Sequence, residues 1–393
     1  MKRALPSLLL VAAAALAQDW ISRDEYDLAL SVRAQKAPAQ RLPLLEQWKQ
    51  KFPNSAMRPQ RAEMILAAAQ SLGDKAKMIE AARELVAVNP DHFTGLYWLT
   101  LFAPQAPMAP IPAALTEAEQ WARRLVKLAA TQPAEQKEVT ALAHRTLGWA
   151  AWQRGAPDAA EKELFQSLAA VPRNAEVSAW LGAMMATQKE PARQVAAIWH
   201  LARASYTDGD GALAAAQRRE VRALLEAAYT SYHGALDGLD EIGAAARTAD
   251  SNQPPAAFKI ETAAEVAQRK ADEQMQATNP QLFTWVKIRR RLTGVGGQAE
   301  YQKLAEGTLP LVKGYVVRCD ADPKPTEVFV GLQDSAVEEV VLKLDAAQPR
   351  CPEVGIALEF EGKPVAFSPE PFRLSVAVEA KSIVGWPPPP EKK

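Results

Sequence analysis

Leu147-Gly148-Trp149-Ala150-Ala151-Trp152-Gln153-Arg154-Gly155, followed by Ala160, Leu164, Leu168 and Pro172, is the stretch on which the fold of this chain turns. Gly148 and Ala160 are small where two antiparallel helices must approach closely. Gly155 permits a tight turn, and Pro172 cannot continue a helix. Leu147-Gly148 recurs 34 residues later as Leu181-Gly182. A recurrence at that spacing is the mark of stacked helix pairs.

The same frame extends upstream. Gly73-Asp74 sits at a turn, Pro90 falls at the end of that unit, and Phe52-Pro53-Asn54-Ser55 reads as another unit end. Leu96, Leu99 and Phe102 form a first helix whose connection, Ala103 to Pro112, holds four prolines in place of a short turn. Thr116 and Glu119 read as a capping box opening the helix that follows, through Arg124. About five helix pairs are expected from Ser22 to roughly Tyr206, with a non-repeating helical bundle as the alternative.

Residues 141–174 resemble the tetratricopeptide repeat (TPR), with Leu147-Gly148 on a first helix, Gly155 at the turn, Ala160 at the crossing and Pro172 at the unit end. The resemblance implies an α-solenoid over 18–206 whose first helices line a concave groove for a protein or peptide partner. It places Arg145, Trp149, Trp152 and Gln153 on the groove side of the best-matched repeat, with Glu176 in the next. Trp149 and Trp152 serve equally well as packing between repeats. It also makes His144 a packing residue, at a place where the family carries an aromatic side chain.

Residues 207–306 stay helical without the repeat. Val221, Leu225, Ala228, Tyr232, Leu236, Leu239 and Ile242 trace one helical face, broken near Gly234. Asn279-Pro280 caps and opens a further helix that stops at Gly294. The block reads as an extension capping the last apolar face of the solenoid. Beyond residue 306 the pattern changes to Val-rich alternation broken by Gly and Pro. Runs at Val312–Arg318, Thr326–Leu332, Glu338–Leu344, Ile356–Glu361 and Phe372–Val378 predict a small all-β domain over 307–386, a barrel similar to the OB type. Residues 387–393 form a Pro-rich tail, disordered by composition. The fold class is thus mainly α, a TPR-like solenoid with a helical extension, plus a small C-terminal β-barrel.

Lys2 and Arg3, the apolar run Leu8 to Leu16 and the small residues Ala15-Leu16-Ala17 make 1–17 a cleavable signal peptide. The run is far shorter than the roughly 20 residues that span a bilayer, so no stable membrane insertion is expected after cleavage. No cysteine follows the cleavage point, which argues against a lipid anchor. The protein is therefore expected to be secreted or periplasmic. In that compartment Cys319 and Cys351, the chain's two cysteines, can pair as a disulfide; two buried free thiols are the alternative.

Lys plus Arg number 46 and Asp plus Glu number 46. Residues 18–306 carry 34 basic and 33 acidic side chains, and 307–393 carry 10 and 13. No domain is basic enough to neutralise a phosphate backbone, so nucleic acid is not an expected partner. His92, His144, His200 and His233 lack metal-ligand spacing, and neither a Gly-x-Ser-x-Gly elbow nor a complete calcium or phosphate loop occurs. Lys287, Arg289, Arg290 and Arg291 form a cation cluster, read as complementing a helix C-terminus. No enzyme activity, cofactor or metal is expected. The leading function is a non-enzymatic interaction scaffold; the alternative makes the β domain a binder of a saccharide or other polymer.

Overall fold

A computed structural model of the chain describes residues 20–105, 112–131, 136–249 and 252–387. The expected signal peptide, part of the proline-rich 103–112 connection and the tail beyond 387 lie outside the described residues. The chain divides into two compact units between Ile260 and Glu261.

In the first unit the described residues form helices that pair in chain order. The pairs are α1 (Arg23–Ala34) with α2 (Pro38–Lys51), α3 (Arg58–Leu72) with α4 (Lys75–Val88), and α5 (Phe93–Phe102) with α6 (Pro112–Ala129). They continue as α7 (Gln136–Gln153) with α8 (Pro157–Ala170), α9 (Ala175–Ala186) with α10 (Pro191–Tyr206), and α11 (Ala215–His233) with α12 (Leu239–Thr248). Proline in the first turn of α2, α3, α8 and α10 sets the starts, because its missing N–H is one a helix leaves unused there. Gly148 and Gly182 hold the pairs close. A Cβ on Gly148 would stand 2.6 Å from Leu164 Cγ, and one on Gly182 2.6 Å from Leu201 Cγ.

One helix start differs from the expected one. α6 opens at Pro112, and the Thr116 hydroxyl bonds back to the Pro112 carbonyl inside the helix, while Glu119 pairs with Arg154. Thr116 lies inside the helix, where its hydroxyl finds an acceptor four residues back instead of capping a helix start. A capping box does form at Thr262 and Glu265.

Residues 207–306, expected from the sequence to cap the solenoid as one extension, divide between the two units. α11 and α12 pack on α10 through Val221, Leu225, Tyr229 and Leu239 against Trp199 and Leu201. The predicted break falls at Gly234, in the left-handed region with φ 93°. α13 (Ala263–Thr278), α14 (Pro280–Thr293) and α15 (Gly297–Ala305) belong to the second unit. There Trp285 and Leu292 of α14 join the barrel core, and Tyr301 and Leu304 of α15 pack against it. An apolar helical face does not name the surface that buries it, which is why sequence spacing assigned these helices to the solenoid.

The barrel is closed in the order β1 (Leu309–Cys319), β2 (Glu327–Gly331), β3 (Val340–Leu344), β5 (Phe372–Val378) and β4 (Ala357–Pro369). Every contact is antiparallel except the parallel β3–β5 pair. Val312, Val316, Val328, Val330, Val340, Leu342, Leu358 and Leu374 fill the interior by strict alternation. β4 runs past the predicted end at Glu361, because a register shift between Pro364 and Ala366 absorbs the proline. Cys319 and Cys351 form a disulfide with Cα atoms 6.0 Å apart.

Candidate functional site

Arg145 lies on α7 between two other first helices and is 8% exposed. Its guanidinium donates to Glu176 Oε2 on α9 at 2.8 Å and to the Leu101 carbonyl on α5 at 3.0 Å. It also stands 6.0 Å from the centroid of Trp180 on α9. Beside it the Thr146 hydroxyl donates to the Thr100 carbonyl at 2.9 Å. Arg145 and Glu176 are therefore brought together as a tie across α5, α7 and α9. The remaining residues named from the sequence go elsewhere. Trp149 is buried against Leu115 and Ala118 of α6. Trp152 is half-buried on the α8–α9 core beside Leu164 and Leu181, and Gln153 is exposed.

Two clefts lie in the first unit, one of them at Glu176. A polar one of about 530 Å³ is walled by Gln105, Arg173, Asn174, Glu176 and Gln217. An apolar one of about 160 Å³ lies between α4 and α6, with Leu99, Phe102 and Trp149 beneath. The sequence showed only Glu176 and Trp149 as candidates. The other lining residues become neighbours through the spacing of helices one repeat apart, which local periodicity does not carry.

Ties between neighbouring pairs recur at separations of 31 to 34 residues. Lys49–Glu80 spans 31 residues, Arg83–Glu117 34, Arg193–Glu161 32 and Arg145–Glu176 31. Arg124 reaches the Pro90 carbonyl 34 residues back, and Arg203 the Pro172 carbonyl 31 back, so unit-ending prolines meet a guanidinium of the next pair. The first unit is an α-solenoid of stacked helix pairs.

No family model matches the chain, and no curated protein matches it. Among solved structures it is similar to the MamA RS-1 ArsTM double mutant, at 16% identity and TM-score 0.31 over 52% of this chain and 97% of that one. The thermophilic TPR protein TTC0263 of Thermus thermophilus is 19% identical at TM-score 0.29, over 52% and 97%. MamA 41-end from Desulfovibrio magneticus RS-1 is 18% identical at TM-score 0.27, over 42% and 84%.

All four histidines of the chain lie in this first unit. His144 Nδ1 is 2.6 Å from Glu163 Oε2, His92 Nε2 is 3.2 Å from Glu63, and His233 stacks on Tyr229. Among the described residues no group of His, Cys, Asp and Glu side chains could hold a metal ion. Asp208, in the Asp208-Gly209-Asp210-Gly211 turn, pairs with Arg218 and Arg247. In the second unit Arg289 pairs with Glu339 and Arg290 with Asp272, so part of the cation cluster is spent on local ion pairs.

His200 is of another kind. It is fully buried on α10, its ring edge-on to Phe165 at 5.6 Å, and neither ring nitrogen has a hydrogen-bond partner. Burial, and secondarily the charge of Arg203, push its pKa from 6.5 down to about 3. The folded protein therefore holds it neutral, whereas the unfolded chain takes up the proton once pH falls below 6.5. The stabilisation is complete above that pH and is lost progressively between 6.5 and about 3. Lowering the pH from 7.5 to 5 should cost this unit about 2 kcal/mol. His200→Leu should remove that component of the pH dependence in urea titrations at the two pH values; an unchanged slope would refute it.

Proposed function

We propose that the protein is a non-enzymatic scaffold, working outside the cytoplasm, that holds a protein or peptide partner in the groove formed by its first helices. The observation that carries the reading is the Arg145 tie across α5, α7 and α9 beside the polar cleft at Glu176. A groove held by a half-buried ion pair keeps its shape before the partner arrives, which lowers the ordering cost of association. Stacked repeats offer such extended surfaces, and Arg and Trp carry a large share of interface energy. Residues 1–17 support export, and no helix among the described residues is long and apolar enough to cross a membrane.

The second reading is favoured by one feature of the barrel. Arg318, Phe329, Val341 and Ser375 follow one another as Cα partners across β1, β2, β3 and β5. The Arg318 guanidinium lies 3.5 Å from the Phe329 ring centroid and that of Arg373 lies 5.9 Å from it, both arginines paired with Glu338. OB-type barrels bind polymers across this face. Cross-linked capture of partners from the native envelope, with full-length protein, separates the two readings. Gln217→Trp, which fills the polar cleft, should reduce capture at least about tenfold, while Arg318→Ala with Arg373→Ala leaves it unchanged. The reverse pattern would replace the groove with the barrel.

A further inference from the structure

The cleft between α4 and α6 lies apart from the polar cleft at Glu176 and is built differently. α5 ends at Phe102, and α6 does not begin until Pro112, so this pair is joined by a longer connection than its neighbours. Its lining includes the short side chains Ala103 and Ala114, together with Ile79 of α4 and Trp121 of α6. Leu99 and Trp149 beneath are 2% and 8% exposed, so the floor is apolar and fixed. The space, about 160 Å³, is of the size that holds a single aromatic ring, as dry cavities of roughly 150 Å³ do.

The rim adds a charge preference. Arg83 and Glu117 satisfy one another at 2.9 Å, and Arg83 lies 5.0 Å from the centroid of Trp121. Lys75 shares the α4 stripe with Ile79 and Arg83, at the spacing of successive helical turns. Its Nζ stands 5.8 Å from the Phe102 ring centroid and donates to the Gln105 amide at 3.2 Å. Among the described residues it forms no ion pair, and the undescribed stretch 106–111 contains no acidic residue. Lys75 is thus an exposed, uncompensated cation outside the lining itself but next to Phe102, which walls the apolar space.

We propose that this cleft is an anchor site for an acidic peptide segment of the partner, taking one Phe-sized apolar side chain into the space with a neighbouring carboxylate on Lys75. It rests on the scaffold reading only as far as binding of a protein partner, because the cleft lies between two second helices and so places this contact outside the groove of the first helices. An apolar anchor seated in a pocket with a charged rim is how a few residues come to dominate an interface. The surplus cation then discriminates against basic segments.

The test uses full-length protein and fluorescein-labelled peptides of roughly twelve residues, read by anisotropy. One peptide carries Phe between Asp residues in a Gly/Ser context, the second has Ser for Phe, and the third has Lys for Asp. The first should saturate below about 1 mM, and the others should bind at least about tenfold and fivefold more weakly. Ala114→Phe, filling the space, should weaken the first peptide about tenfold. Lys75→Glu, on an exposed side chain, should reverse the preference between the acidic and basic peptides. If Ala114→Phe lowers the thermal midpoint, the Lys75→Glu reversal decides alone. Equal affinity for all three peptides, no saturation below 1 mM, or no reversal would overturn the proposal. Envelope capture lost in Gln217→Trp but intact in Ala114→Phe would reject this anchor while leaving the scaffold reading in place.

Discussion

Trp285→Ala should unfold the second unit far more readily than any exposed substitution, lowering its stability by about 3–5 kcal/mol. The side chain is 1% exposed and sits in the barrel core with Leu309, Phe360 and Leu374, its ring edge-on to Phe372 at 5.8 Å. Removing it leaves a cavity that strands and helix cannot both close. Trp285→Phe gives the contrast. The indole N–H has no hydrogen-bond partner, so replacing it with a smaller ring removes a buried unpaired donor while keeping most of the packing. That substitution should cost less than about 1.5 kcal/mol. Hydrogen exchange of the β2 and β3 amides in both variants checks the pair. Equal protection in Trp285→Ala and wild type would show that α14 is not part of the barrel core.

Cys319→Ser with Cys351→Ser should lower the stability of the same unit by about 3–4 kcal/mol, from the loss of a cross-link between residues 32 apart. The bridge joins the end of β1 to the loop before β4, and the Asp322 carboxylate accepts from the Cys351 N–H at 3.4 Å. Between them Asp320 organises the β1–β2 turn. The Thr326 hydroxyl and the N–H groups of Glu327, Thr326 and Ala321 hold its pKa at about 2. Because that turn keeps its own bonds, the effect should show as a lower denaturation midpoint with the barrel amides still protected in water. Denaturant titration with and without reductant measures it. A shift below about 1 kcal/mol would mean the unfolded chain is already compact around these residues.

The two surfaces were legible to different depths. Arg145 and Glu176 were readable as a pair of positions on successive first helices, and they meet as an ion pair. Trp149 and Trp152 carried two meanings in the sequence, and the fold gives them different ones. Trp149 lies beneath the apolar cleft, while Trp152 covers the α8–α9 core. The partners that complete each cleft, Ile79 with Trp121 and Gln105 with Gln217, come from helices distant in the chain. No local spacing pairs them.

By itself the sequence determined which segments are helix and which are strand, because the marks are local. Gly148 and Gly182 recur at one period, prolines open and close helices, and Val-rich alternation begins after residue 306. It also determined the break at Gly234 and the start of α14 at Asn279-Pro280, since φ preference and capping act within a few residues. Only the tertiary structure decided which apolar face meets which. α11 and α12 complete the solenoid, whereas α13 to α15 belong with the barrel and Trp285 enters its core. The physical reason is that burial is non-directional: a stripe of apolar side chains fixes that a helix must be covered, and three-dimensional packing alone selects the cover.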